Sequence, residues 1–101
     1  MIYKKKNSLS IIIPVLNEKQ NLINLTNKIY RNTKGLKFEI IFIDDNSEDG
    51  SHKILKMLKK KYKNFKFYTR KKERDLTQSC FFGINKSKIK VRTINGQIHL
   101  Q

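Results

Sequence analysis

Tryptophan is absent, proline and cysteine occur once each, and 8 acidic residues face 23 basic ones in a chain of 101. Each shortage excludes something. The lone Cys80 cannot form an internal disulfide, which rules out a disulfide-stapled secreted scaffold and fits a cytosolic setting. Beside Phe81 and Phe82 it reads as a small apolar packing residue. One proline and four glycines leave no collagen-like or linker-like segment. No apolar run approaches the roughly 20 residues that cross a bilayer. The run from Ile11 to Leu16 is also shorter than the apolar core of a signal peptide, about 7–15 residues. A cytoplasmic domain, at most peripheral on the cytosolic face of a membrane, is the expectation.

The shortage of acid leaves a net charge of +15. Such an excess suits a polyanionic partner: nucleic acid, an anionic membrane surface or a phosphate-bearing substrate. Most of it is lysine, in a chain also rich in isoleucine and asparagine, and an AT-rich coding sequence would produce the same bias. Charge alone therefore does not select the partner. The 38% of hydrophobic residues is low for a globular domain, but these residues are clustered into runs, and the clustering argues for a folded core.

Those runs alternate in kind. Ser8 to Pro14, SLSIIIP, is β-branched and too short for a helix, as in a strand buried on both faces. Asn17-Glu18 opens a helical stretch in which Leu22, Leu25, Ile29 and Tyr30 recur at three- and four-residue spacing, ended by Gly35. Phe38 to Asp45, FEIIFIDD, is a second apolar strand ending in two carboxylates. After a turn at 46–50, Ser51 is placed to cap a helix with Ile54, Leu55, Leu58 and Tyr62 as its apolar stripe. Phe65 to Tyr68 makes a short third strand, 70–74 a charged loop, and Asp75 to Lys86 a third helix with Leu76, Cys80, Phe81 and Ile84 on one face. The order β-α-β-α-β-α predicts an α/β fold: a parallel sheet with right-handed crossovers and helices on both faces. Ligands of such sheets bind beyond the carboxyl ends of the strands. Here those ends carry Pro14-Val15-Leu16-Asn17-Glu18 and Asp44-Asp45-Asn46-Ser47.

Two adjacent carboxylates at the end of a buried strand are costly unless water, a metal or a donor-rich ligand meets them. A plain turn would also use Asp, Asn and Ser, to cap backbone groups. The whole pattern decides between these readings. An apolar strand, Pro and an Asn-Glu pair (Ile11 to Glu18), then a helix, then a strand running into Asp44-Asp45-Asn46-Ser47-Glu48-Asp49-Gly50-Ser51, resembles the amino-terminal part of family-2 glycosyltransferases of the GT-A fold. Within that family the segment Arg70…Arg74-Asp75-Leu76-Thr77…Gly83-Ile84 is similar to the stretch after the third strand of dolichyl-phosphate mannose synthases and bacterial polyprenyl-phosphate sugar transferases. Together the motifs cover residues 8–88.

The resemblance implies a Rossmann-like GT-A nucleotide-binding half and a nucleotide-diphosphate sugar as donor, GDP-mannose or a UDP-sugar. It implies a polyprenyl or dolichyl phosphate as acceptor at the membrane surface. Pro14, Leu16 and Glu18 would line the base and ribose pocket, partly through their backbone. Asp45 would accept a hydrogen bond from a ring N–H of the base, a task suited to an acceptor-only group, and Asp44 would support the turn. The family often has an aromatic residue where Leu16 stands, so this position offers no stacking ring. Asp49-Gly50-Ser51 reads as structural. Arg70 and Arg74 would sit beside the diphosphate, where forked guanidinium groups suit phosphate oxygens.

An intact member would next place an Asp-x-Asp strand holding Mg2+ or Mn2+ against the leaving diphosphate. This chain has no acidic residue after Asp75, and Asn95-Gly96-Gln97 stands roughly where that motif belongs. Amides are poor ligands for a hard cation, so no metal ligand and no catalytic residue is expected here. The sequence divides into a nucleotide-sugar-binding part, 1–88, and a divergent tail, 89–101, as a truncation or frameshift would leave; the chain alone is expected to be incomplete and inactive. His52 and His99 have no Cys/His cluster to join as a zinc site, and Gly83 matches no phosphate-cradling motif. Two alternatives stand beside this reading: a basic nucleic-acid-binding protein using Phe65, Phe67 and Tyr68, and a nucleotide-binding half-domain without catalysis. No nucleic-acid-binding signature is present, and Phe65 and Phe67 share one strand face, as core residues do.

Overall fold

Runs of isoleucine set the architecture. The computed structural model describes residues 2–5, 8–71, 75–88, 91–94 and 97–100. Among them, strand β1 (Ile2–Lys5) leads into β2 (Ser8–Val15), helix α1 (Lys19–Asn32), β3 (Lys37–Asp44), α2 (Ser51–Lys61), β4 (Phe65–Thr69) and α3 (Leu76–Lys86). β2, β3 and β4 are parallel neighbours, and β1 lies antiparallel on the outer edge of β2, giving the order β1-β2-β3-β4. The expected parallel α/β sheet is present. β1, to which the sequence reading gave no element, adds an edge strand. A separate antiparallel pair, β5 (Val91–Ile94) with β6 (Gln97–Leu100), falls in the 89–101 tail, to which the sequence reading gave no element.

Side chains alternate across a strand, and here both faces are apolar. Ile11, Val15, Ile40, Phe42 and Phe65 pack with Leu22 of α1 and Leu55 and Leu58 of α2. Ile12, Ile41 and Ile43 pack with Ile84 of α3 on the other side. Helices therefore cover both faces, as the sequence implied. Phe67 packs against the first cluster and Tyr68 against the second, so neither is part of an open stacking platform.

Two helix faces differ from expectation. In α1, Leu25 is 37% exposed and Thr26 takes the buried place, its hydroxyl donating to the Leu22 carbonyl at 2.7 Å. In α3, Leu76 and Phe81 are exposed, and the buried residues are Ser79, Gly83 and Ile84. Close approach to the sheet is the reason. A Cβ on Gly83 would lie 2.4 Å from Ile12 Cγ2, so only glycine lets the helix sit this near β2.

The register matters most for function. β2 and β3 pair from Ser8↔Lys37 to Val15↔Asp44, and β3 and β4 end in step at Asp44↔Thr69. Three carboxyl ends thus lie level. Val15 directs its carbonyl to the Asp45 N–H at 2.9 Å, so Pro14 faces the other edge, beyond Ile11, the last residue of β2 that β1 pairs with. The missing donor of Pro14 therefore costs no ladder bond.

Candidate functional site

The loops after β2 and β3 are stitched together. The Asn17 N–H donates to Ser47 Oγ at 2.8 Å, and the Glu48 N–H returns a bond to Asn17 Oδ1 at 2.9 Å. Asn17 and Asn46 reach this arrangement with φ of 53° and 63°, a left-handed conformation that asparagine tolerates better than most residues. The Lys19 N–H, at the start of α1, donates to Asp49 Oδ2 at 3.0 Å. Asp49 Oδ1 accepts from the Ser51 N–H at 3.0 Å and the Ser51 hydroxyl at 2.5 Å. One carboxylate therefore caps the first turns of two helices, where unpaired N–H groups and the helix dipole favour negative charge. Ser51 is not the cap that the sequence suggested. Gly50 holds that position at φ 90°, and Ser51 is the first helical residue. These bonds hold the Asp49 carboxyl below its ordinary value, chiefly through the Ser51 hydroxyl, with the N–H groups of Lys19 and Ser51 adding to it against a smaller opposing effect of burial.

Asp44 and Asp45, adjacent in sequence, go to opposite faces of the sheet. Asp44 Oδ1 accepts from the Ser47 N–H at 3.2 Å and its hydroxyl at 2.5 Å, the turn-supporting role expected of it. Asp45 turns toward α3. Its two oxygens lie 2.7 and 2.8 Å from the Ser79 hydroxyl, and Arg70 Nη1 stands 3.5 Å from Oδ1 and 2.5 Å from Ser79 Oγ. The Asp45 side chain is wholly buried and that of Arg70 nearly so. The Arg70 N–H also donates to the Asp44 carbonyl at 2.8 Å, which places the residue at the level carboxyl ends of the strands.

Of the residues singled out from sequence, Pro14 and Leu16 are half-buried at the end of β2, and Glu18 is exposed, accepting from Asn21 Nδ2 at 2.9 Å. Arg70 lies among them but is engaged with Asp45 and Ser79. Arg74 lies outside the described residues. Ser79 is the member that the sequence reading missed: it is 34 residues from Asp45, and beside Thr77 and Gln78 nothing local sets it apart. An open pocket of about 400 Å3 adjoins the stitched loops, lined by Asn17, Glu18 and Asp49 among others. A second of about 350 Å3 flanks Arg70, between Thr69 and the α3 residues Gln78, Phe81 and Asn85. A third, of about 300 Å3, lies at the amino ends of β2 and β3 beside Glu39, away from the loops. The buried Glu39 carboxylate is already met by the Ser10 hydroxyl, Lys66 and the Lys88 N–H.

Among the described residues no three His, Cys, Asp or Glu side chains converge. The carboxylates of Asp44 and Asp49 accept from serine hydroxyls and N–H groups. Asn95 and Gly96 lie outside the described residues. The described side chains do not fit a metal site. Burial, with the nearby Asp45 adding to it, pushes the Cys80 thiol up, so it is no ready nucleophile.

The paired strand ends and their two loops fall inside a longer match. A family model described as glycosyl transferase family 2 matches residues 10–93. The chain belongs to glycosyl transferase family 2. For this family-2 chain, similarity extends to individual members. It is 35% identical over 78 residues to a dolichol-phosphate mannosyltransferase of Pyrococcus furiosus, across 77% of this chain and 22% of that protein. It is 33% identical over 82 residues to a dolichol-phosphate mannosyltransferase of Saccharomyces cerevisiae, across 78% and 31%. An undecaprenyl-phosphate 4-deoxy-4-formamido-L-arabinose transferase of Proteus mirabilis is 38% identical over 55 residues, across 52% and 17%. The family-2 chain thus spans less than a third of the length of these relatives.

Proposed function

We propose that residues 1–88 bind a nucleotide-diphosphate sugar, GDP-mannose or a UDP-sugar, for transfer to a polyprenyl or dolichyl phosphate at the membrane surface. The tail, 89–101, has no part in donor binding on this reading, and these residues alone do not complete transfer. The observation that carries the proposal is the level register of β2 and β3, with their loops stitched side by side and Asp45 at the carboxyl end of β3. The names of the similar proteins supply the acceptor class. No helix of the described residues is long and apolar enough to cross a membrane.

Each residue then has a task. Pro14, Leu16 and Glu18 form one wall for base and ribose. Asp44 holds the turn that presents Asp45. Asp45 accepts a ring N–H of the base, which takes over the place that Arg70 holds beside the carboxylate. Arg70, with five N–H donors, can then turn some of them to the diphosphate. Arg74 is assigned the same phosphate role from its place in the motif.

Calorimetric titration of the chain with GDP and UDP, each with and without manganese, tests this. One nucleotide is expected to bind saturably and to be favoured over the other. Asp45→Asn is expected to weaken it by about tenfold or more, the value of a hydrogen bond to a charged acceptor. Equal affinity for both nucleotides, or an unchanged affinity in a folded Asp45→Asn variant, would sink the assignment.

A further inference from the structure

Both helices on one face of the sheet are rich in basic residues and hold no acidic one. α1 and α2 lie side by side over one face of the sheet and carry three and five basic residues, eight in all, every one exposed, with no Asp or Glu in either helix. In the middle of α2 Met57 is 47% exposed, and Ile23 of α1 is 39% exposed. Helical spacing sets Lys53, Lys60 and Lys61 around Met57, at four residues before and three and four after, with Lys56 adjoining. An exposed apolar side chain flanked by lysines at helical spacing fits a surface that is anionic outside and apolar just beneath.

Composition separates that surface from nucleic acid. Seven of the eight basic residues are lysine, the exception being Arg31. Lysine acts as a compact point charge, whereas forked recognition of phosphates and bases favours arginine. Single-strand binders also need free aromatic rings. The tyrosines of this face, Tyr30 and Tyr62, stack on each other at 4.2 Å, and their hydroxyls donate to the Lys63 carbonyl and to Asn27 Oδ1. We propose that the outer surface of α1 and α2 docks on an anionic lipid bilayer, its lysines over the headgroups and Met57 dipping between them. The helices then lie along the membrane plane, and the strand ends open sideways, level with lipid headgroups. The proposal deepens the reading of a lipid-linked acceptor given above, but vesicle binding needs no nucleotide, so either can fail without the other.

Co-sedimentation of the chain with phosphatidylcholine vesicles, and with vesicles containing phosphatidylserine, at near-physiological salt is the test. Binding is expected to the anionic vesicles alone. Each lysine near a charged surface changes partitioning by about fivefold. The triple variant Lys53→Gln, Lys56→Gln, Lys60→Gln should therefore lose about a hundredfold. A charge-matched control around α3, Lys71→Gln, Lys86→Gln, Lys88→Gln, should stay within a few-fold of the parent. Met57→Gln, which leaves charge unchanged, should lose several-fold. Circular dichroism confirms that each variant is folded. Equal loss in both triple variants would reduce the effect to net charge and overturn the proposal. So would equal binding to neutral vesicles, or release from vesicles by single-stranded RNA that itself depends on the same three lysines.

Discussion

Asp49 accepts hydrogen bonds from the first turns of two helices, and its folded carboxyl is more acidic than an unfolded one. A depressed carboxyl stabilises the fold above the unfolded value, near pH 4, and that contribution is lost as pH falls through the folded value. Asp49→Asn should therefore be less stable than the parent at neutral pH, with the gap closing in strong acid. Urea unfolding at a series of pH values measures this, and a gap that persists at low pH would assign the effect to geometry rather than charge. Tyr30 behaves oppositely. Burial, and secondarily the adjacent Tyr62, raise its hydroxyl from 10.0 to about 12. Its contribution is intact below the unfolded value and is lost as pH rises through the folded one. Tyr30→Phe should flatten the decline in stability between roughly pH 10 and 12, read by the same unfolding series.

Single residues also show what sequence could reveal. α1 begins just after the Asn17-Glu18 pair, and the hydrogen bonds of Asp44 within the 46–50 turn follow from local chemistry. The Asp45–Ser79–Arg70 group does not, because its members meet only when α3 folds back over the sheet. Nothing local marks Ser79 as the partner of Asp45, and the masking of Arg70 by that pair is equally a tertiary fact. The Ser51 cap was misjudged for a related reason: the carboxylate that meets those N–H groups lies two residues upstream, and Gly50 supplies the turn.

At the scale of elements, β2 and β3 were legible because isoleucine runs bounded by polar turns leave few alternatives. The helix faces were less so. Periodicity placed Leu25 inward, but Thr26 can bury its methyl while its hydroxyl returns to the preceding turn, leaving Leu25 outside. For α3 the apolar stripe pointed to Leu76 and Phe81, whereas the small residues Ser79 and Gly83 are what let the helix approach the sheet. Gly83→Ala tests this. Alanine gains about 1 kcal/mol of helix propensity, but its Cβ meets Ile12 and should cost roughly 1–3 kcal/mol of overpacking or more. The expected result is a net loss in denaturant midpoint. A gain would show that α3 shifts away from β2 at little cost.

For the molecule as a whole, the charge of +15 opposes compaction. Salt screens that repulsion, so stability should rise with ionic strength. A gain of ~1 kcal/mol, or about 4–8 °C in melting temperature for a domain this small, is expected between low and moderate salt. A flat melting temperature would mean that the lysines of α1 and α2 are too widely spaced to repel one another. β1 and the β5–β6 pair were not foreseen in the sequence because short strands gain their definition from pairing partners rather than from their own residues.

The shared cap at Asp49 has a dynamic consequence. The amides of Asn17, Lys19, Glu48 and Ser51 are all held across or within one pair of loops, so opening one loop exposes the other. Local opening there should be concerted, with these amides exchanging hydrogen for deuterium at matched rates. A ligand seated between the strand ends would then slow exchange at the beginnings of both helices at once, including amides it never touches.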